Sequence, residues 1–261
     1  MKRIILGLLL ILLNSPAFAE IIGKEVIYSD NDVTLKGYIA YDDAIQGKRP
    51  GILVVHEWWG HNAYVRKRAD MLAQLGYIAL AVDMYGDGKT ANHPDDAGKF
   101  ATEVKSNLPL MQSRFTAALE LLKSNELTDS EKIGAIGYCF GGSTVLSMAR
   151  QGLDLKGVVS FHGGLGGLPP VSVGNVKAKV LVCTGADDSF IPQEQIDTFK
   201  NEMDEGKVDY KFISYPGAKH SFTNPDADQF AKDFGMPIAY NAEADKKSWV
   251  DMQIFFNEVL K

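Results

Sequence analysis

From Gly23 to Ile27 and from Val33 to Ile39, apolar and polar residues roughly alternate on either side of Ser29-Asp30-Asn31-Asp32. A period of two around a turn-forming insert predicts an antiparallel hairpin. The pattern then changes. Gly51-Ile52-Leu53-Val54-Val55 is continuously apolar, as a strand covered on both faces must be. Tyr64 to Leu75 returns Met71, Leu72 and Leu75 to one face and predicts a helix closed by Gly76. Tyr77 to Val82 reads as the next buried strand. The polar stretch from Asp87 to Pro109 is broken by two prolines and predicts a loop with a short helix near Asp95 to Lys105. Met111, Phe115, Ala118, Leu119 and Leu122 then recur at helical spacing.

Further strands are predicted at Ile133–Gly137, Gly157–Phe161, Lys179–Thr184 and Asp209–Tyr215. Helices are predicted at Ser143–Arg150, Glu194–Asp204 and Ala242–Leu260, the last with Trp249, Met252, Phe255, Phe256 and Val259 turned inward. Strand and helix thus alternate after an initial hairpin. That is the pattern of an α/β fold: a doubly wound, mostly parallel sheet with helices on both faces. No repeat or low-complexity linker divides the chain, so a single domain over residues 20–261 is expected.

The first 19 residues carry a different signal. Lys2 and Arg3 precede an apolar run from Ile4 to Leu13, and Ala17-Phe18-Ala19 forms a small-residue cleavage site. This is the layout of an export signal cut after Ala19. The apolar run is too short to span a bilayer, so no stable membrane anchor is expected. An exported, periplasmic product follows. Loss of Lys2 and Arg3 takes the formal charge from -6 to -8. An acidic chain without a basic cluster argues against nucleic-acid binding. The two cysteines, Cys139 and Cys183, read by default as a disulfide in an exported protein.

Candidate chemistry sits where strands end, because ligands of open α/β sheets bind beyond the C-terminal strand edges. Gly137-Tyr138-Cys139-Phe140-Gly141-Gly142 follows a strand and opens a helix. Glycines two places either side of Cys139 fit a nucleophile elbow with Cys in place of Ser. A helix N-terminus beside the thiol favours its ionised form. The bland reading is a buried core cysteine. Reading the other strand ends gives Glu57, His162, Asp188 and His220. Cys139, Asp188 and His220 arrive in the chain order nucleophile, acid, base. Cys139 would attack an acyl carbon, His220 would handle the proton, and Asp188 would orient the imidazole. Asp187 is the rival acid. His162 is read as shaping the site rather than acting as base. The backbone N–H groups of Phe140 and Trp58, with Trp59 as the alternative to Trp58, are candidates for an oxyanion hole. No histidine pair has ligand-like spacing, so neither metal nor other cofactor is assigned.

Taken together, these pieces resemble the dienelactone hydrolase family of α/β-hydrolases. The resemblance rests on Val55-His56-Glu57-Trp58-Trp59-Gly60, Asp83-Met84-Tyr85, the Cys139 elbow, Asp188-Ser189-Phe190-Ile191-Pro192 and Tyr215-Pro216-Gly217-Ala218-Lys219-His220-Ser221-Phe222. They run in family order across about Val26 to Leu260. The resemblance implies an eight-stranded α/β-hydrolase without a large cap domain. It implies Cys139, Asp188 and His220 as the triad, with Trp58 and Phe140 as oxyanion donors. It implies that Glu57 contacts the resting thiol and releases it when substrate binds. In the implied sheet order, one strand separates those bearing Cys139 and Cys183. Two strand spacings of about 9.5 Å exceed disulfide reach, which leaves Cys183 a core residue.

One position departs from the family pattern. Dienelactone-opening members carry a carboxylate-binding arginine where this chain has Asn224. No second substrate arginine can be placed before the Met111–Leu122 helix. The reaction type therefore transfers and dienelactone specificity does not. Residues 224–244 are expected at the pocket mouth, with Trp59, Tyr85, His162, Phe222, Asn224 and Tyr240 as pocket candidates. The expected function is hydrolysis of a small carboxylic ester, lactone or thioester through a Cys139 thioester. The alternative is a silent hydrolase-fold binding protein. A dinucleotide-binding protein lacks its early G-x-G-x-x-G here, and a redox role lacks C-x-x-C.

Overall fold

The computed structural model describes residues 20–261. The export signal expected over residues 1–19 lies outside them. Eight strands form one sheet: β1 (Ile21–Asp30), β2 (Val33–Asp42), β3 (Arg49–Val55), β4 (Ile78–Val82), β5 (Thr128–Tyr138), β6 (Gly157–Phe161), β7 (Lys179–Gly185) and β8 (Tyr210–Tyr215). Their spatial order is β1-β2-β4-β3-β5-β6-β7-β8. The β1–β2 hairpin joins antiparallel through β2 to β4, and every later pairing is parallel. Among the described residues, seven helices accompany the strands: α1 (Ala63–Gln74), α2 (Pro94–Lys105), α3 (Leu108–Ser124), α4 (Phe140–Arg150), α5 (Gln193–Glu205), α6 (Ala227–Phe234) and α7 (Ala242–Val259).

The continuous apolar runs explain the layers. Leu53 and Val55 of β3 enter a core with Phe115 and Leu119 of α3, Leu146 of α4 and Phe199 of α5. Their neighbours Ile52 and Val54 enter a second core with Leu72 of α1 and Met252 and Phe256 of α7. Successive side chains of a strand face opposite sides, so one unbroken apolar run fills two cores.

Helix α6 is absent from the sequence reading, which placed residues 224–244 at the pocket mouth without assigning an element to Ala227–Phe234. It is a single amphipathic stretch whose Phe230 and Phe234 pack on Trp59, at 4.5 and 6.1 Å between ring centroids. Eight residues give too few helical turns for a clear periodic signal, and Pro225, Gly235 and Pro237 obscure it further.

Among the described residues, no helix is long and apolar enough to cross a membrane. Both cysteines are free thiols. Cys139 follows β5, Cys183 lies in β7, and β6 runs between them.

Candidate active site

The turn after β5 has little room. A Cβ on Gly137 would come within 2.0 Å of the Gly141 carbonyl oxygen, and one on Gly141 within 2.3 Å of the Val55 oxygen. Those contacts require hydrogen in place of a side chain. Cys139 itself adopts φ 51° and ψ -111°, a strained conformation for a residue with a Cβ. The strain turns the thiol out of the sheet at the start of α4. Cys139 is half-buried, whereas its neighbours Tyr138 and Phe140 are buried.

His220 stands on the loop after β8 and Asp188 on the loop after β7. His220 Nε2 lies 3.1 Å from Cys139 Sγ, and His220 Nδ1 lies 2.8 Å from Asp188 Oδ2. Asp188 Oδ1 accepts the Phe190 N–H at 2.9 Å, so both carboxylate oxygens are engaged. Asp188 is buried against His220, whereas its rival Asp187 is exposed and makes no side-chain hydrogen bond to that ring. Burial pulls the His220 imidazole toward its neutral form. The charge at Cys139 and the contacts with Asp188 outweigh it and push the pKa up to about 10.

Glu57 is buried behind this pair. Its Oε2 accepts a hydrogen bond of 2.5 Å from Asn224 Nδ2, while its Oε1 has no protein partner. Burial raises the carboxyl pKa above its ordinary value, and the Asn224 amide opposes that only in part. The expected contact between Glu57 and the thiol is therefore replaced: Glu57 is held by Asn224, and Cys139 faces His220. Asn224 is spent on this bond and does not line the cavity.

A cavity of about 420 Å³ opens at Cys139 and His220 between Trp58, Phe140, Ser143, Lys105 and Gln195. A smaller one of about 200 Å³, on the same two residues, is lined by Trp58, Phe190, Ser221, Met236 and Ile238. The first compartment is mixed in polarity and the second is almost wholly apolar. Lys105 has no carboxylate within ion-pair distance among the described residues. Trp58 and Phe140 border the larger cavity, and among the described residues no hydrogen bond occupies either backbone N–H.

The remaining pocket candidates lie elsewhere, each for a packing reason. Trp59 is buried between Trp58 and α6. Tyr85 is buried and donates its hydroxyl to the Trp58 carbonyl at 3.0 Å, bracing that loop. Phe222 fills the core against Tyr215. Tyr240 reaches Asp245 at the start of α7. His162 lies wholly buried under the elbow. The Asp83-Met84-Tyr85 motif is structural too: Asp83 accepts the N–H groups of Lys36, Tyr85, Gly86 and Gly88 and fixes the loop after β4.

The sequence reading missed Lys105, Gln195, Met236 and Ile238 as cavity residues. Phe190, inside the Asp188–Pro192 motif, and Ser221, inside the Tyr215–Phe222 motif, carried a local signal; the Phe190 ring meets the His220 ring edge-on at 5.0 Å. Among the described residues, no cluster of three or more His, Cys, Asp or Glu side chains could hold a metal ion.

The chain is similar to known proteins in sequence and in fold. The dienelactone hydrolase family profile matches residues 35–260. Protein usf of Aquifex pyrophilus is 31% identical over 207 residues, covering 77% of this chain and 87% of its own. The dienelactone hydrolase-like promiscuous phosphotriesterase P91, from metagenomic libraries, superposes with a TM-score of 0.85 at 35% identity, covering 94% of this chain and all of its own. A dienelactone hydrolase from Anabaena variabilis shares the fold, with a TM-score of 0.64 at 22% identity and coverage of 92% and 99%.

Proposed function

Because the chain belongs to the dienelactone hydrolase family of α/β-hydrolases, we propose that it hydrolyses small carboxylic esters, lactones or thioesters through a thioester on Cys139, without a cofactor. The observation that carries this reading is the unbroken line Cys139 Sγ, His220, Asp188, with contacts of 3.1 and 2.8 Å, at the wall of a cavity. Family membership supplies the hydrolase; the nucleophile and the substrate class are this proposal.

The steps follow from the contacts. His220 Nε2 takes the Cys139 thiol proton, the sulfur attacks the carbonyl carbon, a C–S bond forms, and the carbonyl oxygen takes the negative charge. The Phe140 and Trp58 N–H groups stabilise that oxyanion; one such donor contributes about 3 kcal/mol. As the C–O bond breaks, the departing alkoxide takes the proton from His220 Nε2. Water then attacks the thioester while His220 takes its proton, and the sulfur leaves. Asp188 keeps the ring oriented and favours its cationic form. Glu57, raised toward its neutral form and tied to Asn224, adds little repulsion against a sulfur anion.

The two compartments favour a substrate with one polar and one apolar arm about the scissile bond. Lys105 and Gln195 suit an anionic or hydrogen-bonding arm, and Met236, Ile238 and Phe190 an alkyl or aryl one. The deciding experiment offers aryl and alkyl esters, lactones and thioesters to residues 20–261 and follows the protein by intact mass. A phosphotriester joins the panel because P91 is described as acting on that class. A mass increase equal to the acyl group, absent in Cys139→Ala, supports the proposal. Unchanged turnover in Cys139→Ala overturns it, and no turnover of any substrate with no acylated protein favours a silent binding module.

Export is part of the same proposal. The charged, apolar and small-residue order of residues 1–19 predicts cleavage after Ala19. N-terminal sequencing of the secreted or periplasmic protein should begin at Glu20.

A further inference from the structure

His162 directly follows β6 and the proposed reaction has no use for it, yet it is completely buried and makes directional contacts on both ring nitrogens. Its Nδ1 accepts the backbone N–H of Cys139 at 3.1 Å, and that N–H also reaches the Phe161 carbonyl at 3.0 Å. Its Nε2 lies 2.7 Å from Thr223 Oγ1. Thr223 Oγ1 lies 2.6 Å from the Tyr64 hydroxyl, which accepts a hydrogen bond from Arg68 Nε at 3.3 Å. Arg68 is buried, bonds the Thr223 carbonyl and Asp245 at 2.6 Å each, and faces the rings of Tyr64, Tyr138 and Trp249.

The contacts favour one tautomer. A backbone N–H can only donate, so a bare Nδ1 facing the Cys139 N–H, with the ring proton on Nε2 donated to Thr223, satisfies every partner. The other tautomer sets two N–H groups against each other beneath the nucleophile. The cationic ring makes the same collision. Burial, the charge on His220 and the charge on Arg68 all drive His162 well below the ordinary histidine range and keep it neutral. The His162 ring also meets the His220 ring edge-on, with centroids 5.3 Å apart. One neutral imidazole thus touches the backbone of the nucleophile and the ring of the base.

We infer that His162, held between the Cys139 N–H on its Nδ1 and the Thr223 hydroxyl on its Nε2, is the positioning residue that holds the Cys139 peptide in its strained conformation and so aims the thiol at His220. The inference rests on the reading of Cys139 as nucleophile. Strain at φ 51° needs a restraint, and an acceptor aimed at the Cys139 N–H supplies one. The same restraint orients the peptide linking Cys139 to Phe140, whose N–H is the proposed oxyanion donor. Misplacement of reacting groups by about 1 Å can cost on the order of 100-fold in rate, so a loosened elbow is expected to lower kcat while leaving KM unchanged.

The test has two arms. Long-range nitrogen–proton NMR on the folded wild-type protein reads the tautomer directly. A protonated Nε2 and bare Nδ1 are expected, and a protonated Nδ1 overturns the inference whatever the activity. The second arm replaces Thr223 by Val, which keeps the shape and removes the acceptor, and by Ser, which restores it. Thr223→Val strips the Nε2–H of its acceptor and frees the ring to shift, so kcat should fall about tenfold at nearly constant KM, with Thr223→Ser returning it toward wild type. Wild-type kcat in a folded Thr223→Val protein overturns the positioning role. Should Thr223→Val fail to fold, His162→Asn offers Oδ1 in place of Nδ1. It should retain more turnover than His162→Leu, and equal turnover in the two counts against the inference. If Cys139→Ala were fully active, the nucleophile reading would fall, while the tautomer result would stand on its own.

Discussion

Cys139 and Cys183 lie two strands apart in one sheet and have the same side chain, yet their surroundings differ in nearly every respect that governs a thiol. Cys139 stands past the end of β5, half-exposed to a cavity, with an imidazole 3.1 Å away and a helix starting behind it. Cys183 sits inside β7, fully buried, 3.5 Å from the Tyr215 hydroxyl, and burial pushes its pKa up to about 12. The comparison teaches that reactivity is granted by position on the sheet. A strand interior offers apolar neighbours on both faces and no proton acceptor. The strand end offers a turn, a dipole and loops from neighbouring strands.

The largest expected effect separates the two by substitution. Cys139→Ala should lower kcat for a good ester at least about 10⁴-fold, while Cys183→Ala should leave it within about twofold. Comparable losses in both variants, measured by steady-state hydrolysis, would erase the distinction. Next comes the orienting acid. Asp188→Asn should cost between about 10³- and 10⁴-fold in kcat because the ring loses its oriented, charge-stabilised state. It should also slow alkylation of Cys139 toward the rate of an ordinary thiol. Retained fast alkylation in that variant would place the activation of Cys139 elsewhere.

Chemical labelling sharpens the comparison in the native protein. At neutral pH, iodoacetamide should modify Cys139 at least about 100-fold faster than Cys183, with Cys183 labelled only after denaturation. Peptide mapping by mass spectrometry reads both sites in one sample. The pH dependence has a definite sign. The folded His220 holds its proton up to about 10, above the ordinary histidine value of 6.5. Its contribution to stability is therefore full below about 6.5 and fades as pH rises through about 10. Ester turnover should fall on that same alkaline limb as the leaving alcohol loses its proton donor. A limb that persists unchanged in a variant lacking His220 would assign it to another group. The smallest effect is packing. Cys183→Ala should cost about 1 to 2 kcal/mol of stability, read by denaturant unfolding, because it leaves a small void between β7 and Tyr215.

Much of this arrangement was legible in the residues, for identifiable reasons. Strands covered on both faces write themselves as unbroken apolar runs, which is why β3 through β7 could be placed from composition alone. Cys139 was visible because an elbow needs glycine at 137 and 141. Asp188 and His220 were visible because they follow strands. What stayed hidden depends on contacts between distant segments. Nothing local to Glu57 announces that Asn224 will bind it, and the reading accordingly assigned Glu57 to the thiol and Asn224 to substrate. Trp59 and Tyr85 occupy motif positions close to the site, but packing against α6 and bonding to the Trp58 carbonyl turn them away from the cavity. Lys105 ends a helix, where a basic residue is ordinary, so its place on the cavity wall had no signature in the chain.

From β5 onward the order of strands across the sheet is also their order along the chain. During synthesis, then, the proposed nucleophile Cys139 emerges well before His220, its proposed base. A chain clipped or stalled ahead of β8 holds Cys139 with neither the imidazole to accept its proton nor the loop that completes the cavity. On the proposed mechanism the Cys139–His220 contact forms only once the last strand has docked, so unfinished copies of the protein lack the imidazole that would accept the thiol proton.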